Sequence, residues 1–195
     1  MKKLKTNTQT KQRLVTLLIL VLIMVILSCI SNKYLTVNNL INIVRQESTL
    51  IIIACAATML MISGGMDLSP AGVIALTSVV FAKLCVSGIS IPLAALLSLL
   101  VGVAAGTFSG LLVVLANVPP MIATLGTWYI TKGLAYAISN SYAIVQGLPA
   151  NFGWVNRYVG PFPLMLLIAL VVFVVFYVML NRTLLGKYAY AIGGN

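Results

Sequence analysis

The sequence contains no histidine and only two acidic residues, Glu47 and Asp67, among its 195 positions. Histidine is a common metal ligand and proton carrier near neutral pH, and it activates many serine and cysteine nucleophiles. Its absence removes most metal centres and every Ser-His or Cys-His arrangement, and two distant carboxylates make a poor acid–base pair. The cysteines lack zinc-like spacing, and we interpret them as small buried hydrophobes: Cys29, Cys55 and Cys85. The composition therefore argues against an enzyme and predicts neither catalytic residues nor a metal site.

Phosphate-binding signatures are also missing from the chain. It has neither a GxxxxGK[ST] loop nor a glycine-rich turn of the dinucleotide-binding type. We therefore predict no cofactor and expect that the chain does not itself hydrolyse ATP. If ATP drives its activity, another subunit supplies the ATPase.

Charged residues are scarce and apolar ones abundant. Hydrophobic residues make up 61% and charged residues 7% of the chain, against about 45–50% and about 25% in soluble domains. A hydrocarbon core of roughly 30 Å needs about 20 apolar residues per helix. This predicts an all-α fold, a polytopic transmembrane helical bundle of about six spans. A short third span carrying Lys83 could be re-entrant, which would make five. The spans are residues 14–31, 48–63, 70–87, 89–117, 119–139 and 161–180.

The basic residues predict the orientation, because cytoplasmic flanks accumulate Lys and Arg. The first span is interpreted as uncleaved, since Ser28-Cys29-Ile30 offers no A-x-A-like signal peptidase site. Anionic lipid attracts Lys and Arg residues at the span ends by about 1 kcal/mol each, so the net charge of +10 does not require nucleic acid. Lys132, inside the fifth span, either snorkels or faces water. The inner side, with both termini, holds Lys2, Lys3, Lys5, Lys11, Arg13, Arg182 and Lys187; the outer side holds Lys33, Arg45, Lys83 and Arg157.

The segment from Gly64 to Gly72, GGMDLSPAG, interrupts the apolar sequence with two glycines and a carboxylate. Irregular backbone at membrane depth survives only inside protein or against water. Ser69 and Pro70 form a helix start, with Ser69 as the N-cap. Two interpretations stay open, namely that Asp67 caps a helix at a cytoplasmic turn, or that a broken helix borders a transport path.

Small and hydroxyl-bearing residues mark the two neighbouring spans. A stripe in the fourth span predicts close helix packing, and it comprises Ser98, Gly102, Gly106 and Gly110. In the fifth span, Thr124 and Thr127 follow a Pro-Pro hinge and favour either helix contact or a polar lining. The aromatic-rich loop 140–162 is either an interfacial loop or a partner surface.

Four segments resemble one known family, in the same order. YLTVNNLINIVRQES is similar to F-L-T-x-x-N-L-x-N-I-x-R-Q, and GGMDLSPAG resembles GGIDLSVG. VPPMIATLGTWYITKGLAY resembles PPFIATLGT-x-x-x-x-x-GLAY, and GKYAYAIGGN resembles G-[RK]-Y-x-Y-A-I-G-G-N. These segments are typical of the membrane-spanning permease subunits of bacterial sugar ABC importers of the ribose, xylose, galactose and autoinducer type.

The resemblance implies a function and partners. A subunit of this family translocates a sugar or similar small neutral solute across the bacterial cytoplasmic membrane. It acts as a dimer, in membrane lipid, with cytoplasmic ATP-binding cassette subunits and an extracytoplasmic solute-binding protein, and without nucleic acid. The expected path or gate comprises Gly64, Gly65, Asp67, Ser69, Thr124 and Thr127. The expected ATPase-coupling segment comprises Gly186, Lys187, Tyr188, Gly193, Gly194 and Asn195.

The family pattern continues beyond the GGN motif at which this chain ends. We expect the N-terminal part of a permease that does not transport alone; a truncated reading frame, a partial sequence and a subdomain all stay open. The predicted divisions are a basic cytoplasmic N-terminus (1–13), a transmembrane domain (14–180) and the start of the coupling segment (181–195). The alternative function is a secondary transporter or channel, for which the chain offers few intramembrane ionisable groups.

Overall fold

The computed structural model describes the backbone of residues 2–194 and the side chains of residues 10–194. Within that range the chain is predominantly helical, which confirms the predicted fold class. A short 3₁₀-helix and an antiparallel two-stranded ribbon, in which Tyr158 pairs with Pro163, lie between the last two long helices. The elements are α1 (Lys2–Ile30), α2 (Val37–Ile62), α3 (Pro70–Val86), α4 (Ile91–Val114), α5 (Pro120–Ser139), the 3₁₀-helix (Trp154–Asn156), β1 (Tyr158–Val159), β2 (Phe162–Pro163), α6 (Leu164–Arg182) and α7 (Leu184–Gly193).

The chain divides into two compact units, Met1–Glu47 and Ser48–Asn195. In the first unit, α1 exposes nearly all its described apolar side chains, as a helix facing lipid would. The turn before α2 is closed by the Asn39 side-chain amide, whose Nδ2 donates to the Tyr34 carbonyl oxygen at 2.7 Å. The Thr36 hydroxyl accepts the backbone N–H of Asn39 at 3.4 Å, as expected of an N-cap residue.

The predicted number of about six spans is too high. Helices form in all six predicted stretches, but four are long and apolar enough to cross a membrane: Thr10–Ile30, Val37–Ile62, Ile91–Val114 and Leu164–Arg182. With 17 residues, α3 rises only about 26 Å at 1.5 Å per residue. The 20 residues of α5 include several threonines and Lys132, which lower its hydropathy. These two helices pack against each other, so neither needs the length and apolarity of a helix surrounded by lipid.

The packed centre of the second unit is α3, which lies against α5 and α4. It lies very close to α5 at Gly72, where a Cβ would lie 2.5 Å from both Thr131 Oγ1 and the Trp128 carbonyl oxygen. The most buried apolar residues are small, including Ala94, Ala123 and Ala169. Small side chains let helix backbones come close, which is how helices associate in lipid.

The loop between α5 and α6 folds over the turn that joins α3 to α4. Phe152 stacks on Phe81 with ring centroids 5.2 Å apart. Phe152 and Leu148 pack against a small buried cluster of Cys85, Ile91 and Ala94. The loop is therefore tied to the bundle at its middle, while residues 140–143 and 156–162 on either side remain exposed.

Replacing Phe152 with alanine is expected to release this loop. The stacked pair is worth about 0.5–1.5 kcal/mol beyond its burial, so loss of the stacking alone should make local opening about two- to twelvefold more frequent. Trypsin cleavage after the exposed Arg157, followed in detergent, measures that opening. Tyr142→Ala is the matched control, since Tyr142 is in the same loop and 80% exposed. Equal cleavage rates in the two variants would contradict the packing described.

Candidate functional site

The break between α2 and α3 follows directly from its glycines. Gly64 has a φ of +80°, a left-handed conformation that favours glycine. The Gly65 N–H donates to the Leu60 carbonyl oxygen at 3.1 Å, and the Gly64 N–H donates to that of Met61 at 3.0 Å. A left-handed residue with such backward hydrogen bonds is a common helix ending. α2 therefore stops at Ile62, and the chain runs irregularly to Pro70.

Asp67 organises the start of α3. Its Oδ1 accepts the backbone N–H of Ser69 at 2.8 Å. The helix begins at Pro70, as predicted, but the Ser69 hydroxyl makes no capping hydrogen bond. The carboxylate therefore fixes the chain before the helix, while Ser69 is buried at the N-cap position.

Two adjoining cavities border this break. The smaller, of about 310 Å³, contains Gly65, Asp67 and Thr124 in its wall. The larger, of about 610 Å³, is bordered by Asp67, Ser69 and the start of α3. The two cavities share Leu60, Met66, Asp67 and Gly106. Asp67 thus borders both spaces.

The two predicted threonines of α5 have different surroundings. Thr124 Oγ1 donates to the Pro120 carbonyl oxygen at 2.9 Å and borders the smaller cavity. Thr127 is 1% exposed, donates to the Ala123 carbonyl oxygen at 2.9 Å and is absent from the walls of both cavities at the break. The structure therefore brings Gly65, Asp67 and Thr124 together, with Ser69 beside them, and leaves Thr127 apart.

The residues of the predicted packing stripe on α4 also differ in their surroundings. A Cβ at Gly102 would lie 3.3 Å from Thr77 Cγ2 on α3, whereas Gly106 and Gly110 have no described heavy atom within 4 Å of that position. Gly106 and Gly110 instead border the smaller cavity. Ser98 donates to the Ala94 carbonyl oxygen and faces a separate space near Phe81. A packing role stays a prediction for all four residues.

Ser109, which was not among the predicted site residues, also lies in the wall of the smaller cavity. Its position was detectable, because Ser109 follows Gly106 by three residues and so lies on the same helical face. Its burial was not detectable, since that depends on which helices oppose α4.

The predicted coupling segment forms α7, which ends close to the break. A Cβ on Gly193 would overlap the Ile62 carbonyl oxygen at the end of α2, and a Cβ on Gly64 would lie 4.0 Å from the Gly193 Cα. Gly186 is similarly tight against the backbone of Leu180. Lys187 and Tyr188 are exposed, and Gly194 follows the helix. Asn195 lies outside the described residues.

Lys132 is half-buried on α5 among aromatic rings of its own helix. Its Nζ lies 5.7 Å from the Trp128 ring centroid and 5.9 Å from that of Tyr136. Both distances are within the reach of a cation–π interaction, which offsets part of the cost of placing an ammonium group there.

The apolar helices and the cavities at the helix break define a multi-pass helical membrane protein. Residues 39–195 match the family described as "Branched-chain amino acid transport system / permease component", and the chain belongs to this family. No solved structure matches the chain.

Curated relatives are permeases of sugar import systems. The chain is 33% identical over 185 residues to the ribose import permease protein RbsC of Escherichia coli K12, covering 92% of the chain and 57% of that protein. It is 32% identical over 206 residues to the fructose import permease protein FruG of Bifidobacterium longum, covering 100% and 60%. It is 34% identical over 185 residues to the D-allose transport system permease protein AlsC of E. coli K12, covering 92% and 56%.

These matches confirm the resemblance to sugar importer permeases. The chain spans about 57% of the length of the ribose permease. The named relatives are transport permeases and not enzymes, which agrees with the prediction for this chain, and none of them is named as a channel or secondary transporter.

Proposed function

We propose that the chain forms part of the membrane-spanning subunit of an ATP-driven importer for a sugar or similar small neutral solute. The observation that carries this proposal is the cavity at the broken helix, bordered by Gly65, Asp67 and Thr124. Pockets with a few convergent polar groups are typical small-molecule sites. The names of the relatives, which are permeases for ribose, fructose and allose, support the solute class.

The proposed path contains four of the six predicted gate residues, Gly65, Asp67, Ser69 and Thr124, and Asp67 borders both of its cavities. The larger and smaller cavities meet at Asp67 and Gly106, so a solute passing between them passes this carboxylate. Gly106 leaves space, since no described heavy atom lies within 4 Å of its Cβ position, and hydroxyl groups provide hydrogen bonds without further fixed charge. Such a lining suits a neutral, hydroxyl-rich solute, which needs polar partners but no counter-ion.

The proposed energy source is a pair of cytoplasmic ATPase subunits that act on α7. The close approach of Gly193 to Ile62 would carry a movement of α7 directly to the end of α2 and the break. In this proposal α7 and the Gly64–Ser69 segment face the cytoplasm, which is the side that the basic residues predict for both termini. A solute-binding protein would then deliver the solute from the opposite face, and a second permease copy would complete the path.

Uptake by cells tests this function. The chain, in its full reading frame, is co-expressed with its neighbouring ATPase and solute-binding protein in a strain lacking its own ribose, allose and fructose importers. We expect the cells to take up at least one of these sugars when it is supplied in radiolabelled form. Inactivating the ATPase by mutation of its phosphate-binding lysine should abolish that uptake.

Two results would overturn the proposal. Uptake that persists with the inactive ATPase would favour the alternative, a secondary transporter or channel. Absence of uptake for every sugar, in membranes where the three proteins co-purify, would reject the proposed solute class.

A further inference from the structure

The two-stranded ribbon before α6 presents an apolar face. Tyr158 pairs with Pro163, and Val159 pairs with Phe162. Residues directly opposite each other in an antiparallel pair project from the same face, so Val159 and Phe162 share one face of the ribbon. Pro163, on the other face, is buried, whereas Val159 is 53% and Phe162 54% exposed. The apolar face with Val159 and Phe162 is therefore turned away from the bundle.

The residues just before the ribbon are of the kinds found at membrane surfaces. Trp154 is 40% and Tyr158 51% exposed, and Arg157 between them is also exposed. Trp and Tyr are enriched at the level of lipid headgroups, and arginine forms strong paired hydrogen bonds with phosphate. In the second unit the only carboxylate side chain is that of Asp67, which precedes α3, whereas the loop packs near the end of α3 at Phe81. Arg157 therefore has no carboxylate beside it among the described residues of that unit.

The position of the ribbon relative to the membrane follows from α6. This helix is apolar and 19 residues long. At 1.5 Å per residue it rises about 28 Å, close to the hydrocarbon thickness of roughly 30 Å. Its first residue, Leu164, therefore lies at the edge of the hydrocarbon. The Leu164 N–H donates to the Arg157 carbonyl oxygen at 2.9 Å, which holds Arg157 and the ribbon at this edge. Irregular backbone exposed to lipid stays out of the hydrocarbon itself, so the ribbon lies at headgroup level.

We propose that the ribbon face formed by Val159 and Phe162 docks on the headgroup region of the bilayer, with Trp154, Arg157 and Tyr158 beside it. The apolar and aromatic side chains enter the boundary between headgroups and acyl chains, and the Arg157 guanidinium binds the phosphate of an anionic phospholipid. The sequence left a lipid interface and a partner protein both open for this loop. Continuity with the membrane-spanning α6 and the unmatched charge of Arg157 favour lipid. The inference is independent of the proposed function, because docking of the ribbon requires no transported solute.

A fluorescent label on the ribbon tests this docking. The full chain carries Val159→Cys, labelled with a nitrobenzoxadiazole dye, and alanine replaces Cys29, Cys55 and Cys85. It is reconstituted in nanodiscs, which leave both membrane faces open to solutes. The discs contain phosphatidylcholine alone, or phosphatidylcholine and phosphatidylglycerol in equal amounts. Lipid with a nitroxide near the top of its acyl chain quenches a docked label, and aqueous iodide quenches a free one. The two quenched fractions give the ratio of docked to free ribbon.

We expect phosphatidylglycerol to raise the ratio of docked to free ribbon about fivefold, equivalent to roughly 1 kcal/mol for one arginine near an anionic surface. Arg157→Gln should remove this increase. Arg182→Gln is the matched control and should retain it, since Arg182 is also exposed but lies at the other end of α6. Phe162→Ser should lower docking in both lipid mixtures, because it removes apolar contact area.

Four results would count against the proposal. A label that iodide quenches and nitroxide lipid does not, in both mixtures, would overturn the lipid contact and leave the ribbon as a surface for a protein partner. A ratio that phosphatidylglycerol does not change would overturn the binding of an anionic headgroup. Equal losses in Arg157→Gln and Arg182→Gln would indicate an effect of net charge and would overturn the local role of Arg157. Unchanged docking in Phe162→Ser would overturn the role of the apolar face.

Discussion

Replacing Gly72 with valine is expected to prevent the chain from reaching its native packing. A Cβ at this position would lie 2.5 Å from the Trp128 carbonyl oxygen and 2.6 Å from Trp128 Cδ1. Because the carbonyl oxygen belongs to the backbone, α3 and α5 must separate to admit the side chain. Overpacking a tight core costs about 1–3 kcal/mol, occasionally more, and here the obstruction includes backbone as well as side-chain atoms of α5. We expect a loss of about 3 kcal/mol or more.

Size-exclusion chromatography and thermal unfolding in detergent measure this effect. The variant should elute largely as aggregate, or its folded fraction should melt well below the parent. Gly133→Val is the matched control, since Gly133 is on α5 and has no described heavy atom within 4 Å of a Cβ position. Valine is a better helix former than glycine by a few tenths of a kcal/mol, so the control should be neutral. A Gly72→Val protein as stable as the control would refute the close α3–α5 contact.

The position of the helix break could be predicted because its causes are local. Two glycines end α2, and Ser69 with Pro70 begins α3, so the residues concerned are neighbours in sequence. The hydrogen bond from the Ser69 N–H to Asp67 Oδ1 was less predictable, because Ser69 and Asp67 are both good capping residues and either could have served.

The number of spans could not be predicted from apolar runs alone. The threonines of α5 donate to carbonyl oxygens of their own helix, as Thr131 does to Thr127 at 2.7 Å. Such a helix satisfies its polar groups while packing on α3, so it has no need of an all-apolar surface. Hydropathy along the chain does not show which helices are shielded by their neighbours.

The role of a small residue on a helix also depends on which part of the protein faces it. Gly102, Gly106 and Gly110 have the same spacing, yet only Gly102 meets a side chain of α3 at its Cβ position. The others border a cavity that also involves residues 60–67 and Thr124. A stripe of glycines therefore predicts either a close helix contact or an open space beside the helix. Only the three-dimensional arrangement shows which of the two occurs.

The second large effect is expected at Gly193, where the predicted coupling segment approaches the helix break. A Cβ here would overlap the Ile62 carbonyl oxygen and lie 3.2 Å from the Ser63 carbonyl carbon. Alanine must therefore push α7 away from the end of α2. Since α7 packs mainly on α6, we expect the thermal stability of the bundle to change little. The main effect should instead be a longer distance between the coupling segment and the helix break.

The proposed function implies that Gly193→Ala separates ATP hydrolysis from uptake when the chain is assembled with its proposed ATPase partner. If a movement of α7 reaches the break through Ile62, a displaced helix transmits it poorly, and uptake should fall at least about tenfold, equivalent to roughly 1.4 kcal/mol. ATP hydrolysis and co-purification of the ATPase should persist, because the exposed face of α7 with Lys187 and Tyr188 is unaltered. Parallel measurements of sugar uptake and phosphate release distinguish uncoupling from loss of assembly.

Gly194→Ala provides the neighbouring control for Gly193→Ala. Its Cβ would lie 3.1 Å from the Tyr190 carbonyl oxygen within the same segment and would not meet α2. Uptake in this control should stay within about twofold of the parent, a difference of less than 0.5 kcal/mol. If both variants transport normally, the contact between Gly193 and Ile62 carries no motion, and α7 must act on the cavity by another route. If both fail equally, the end of α7 matters for its own conformation, and the specific link to Asp67 and the break is refuted.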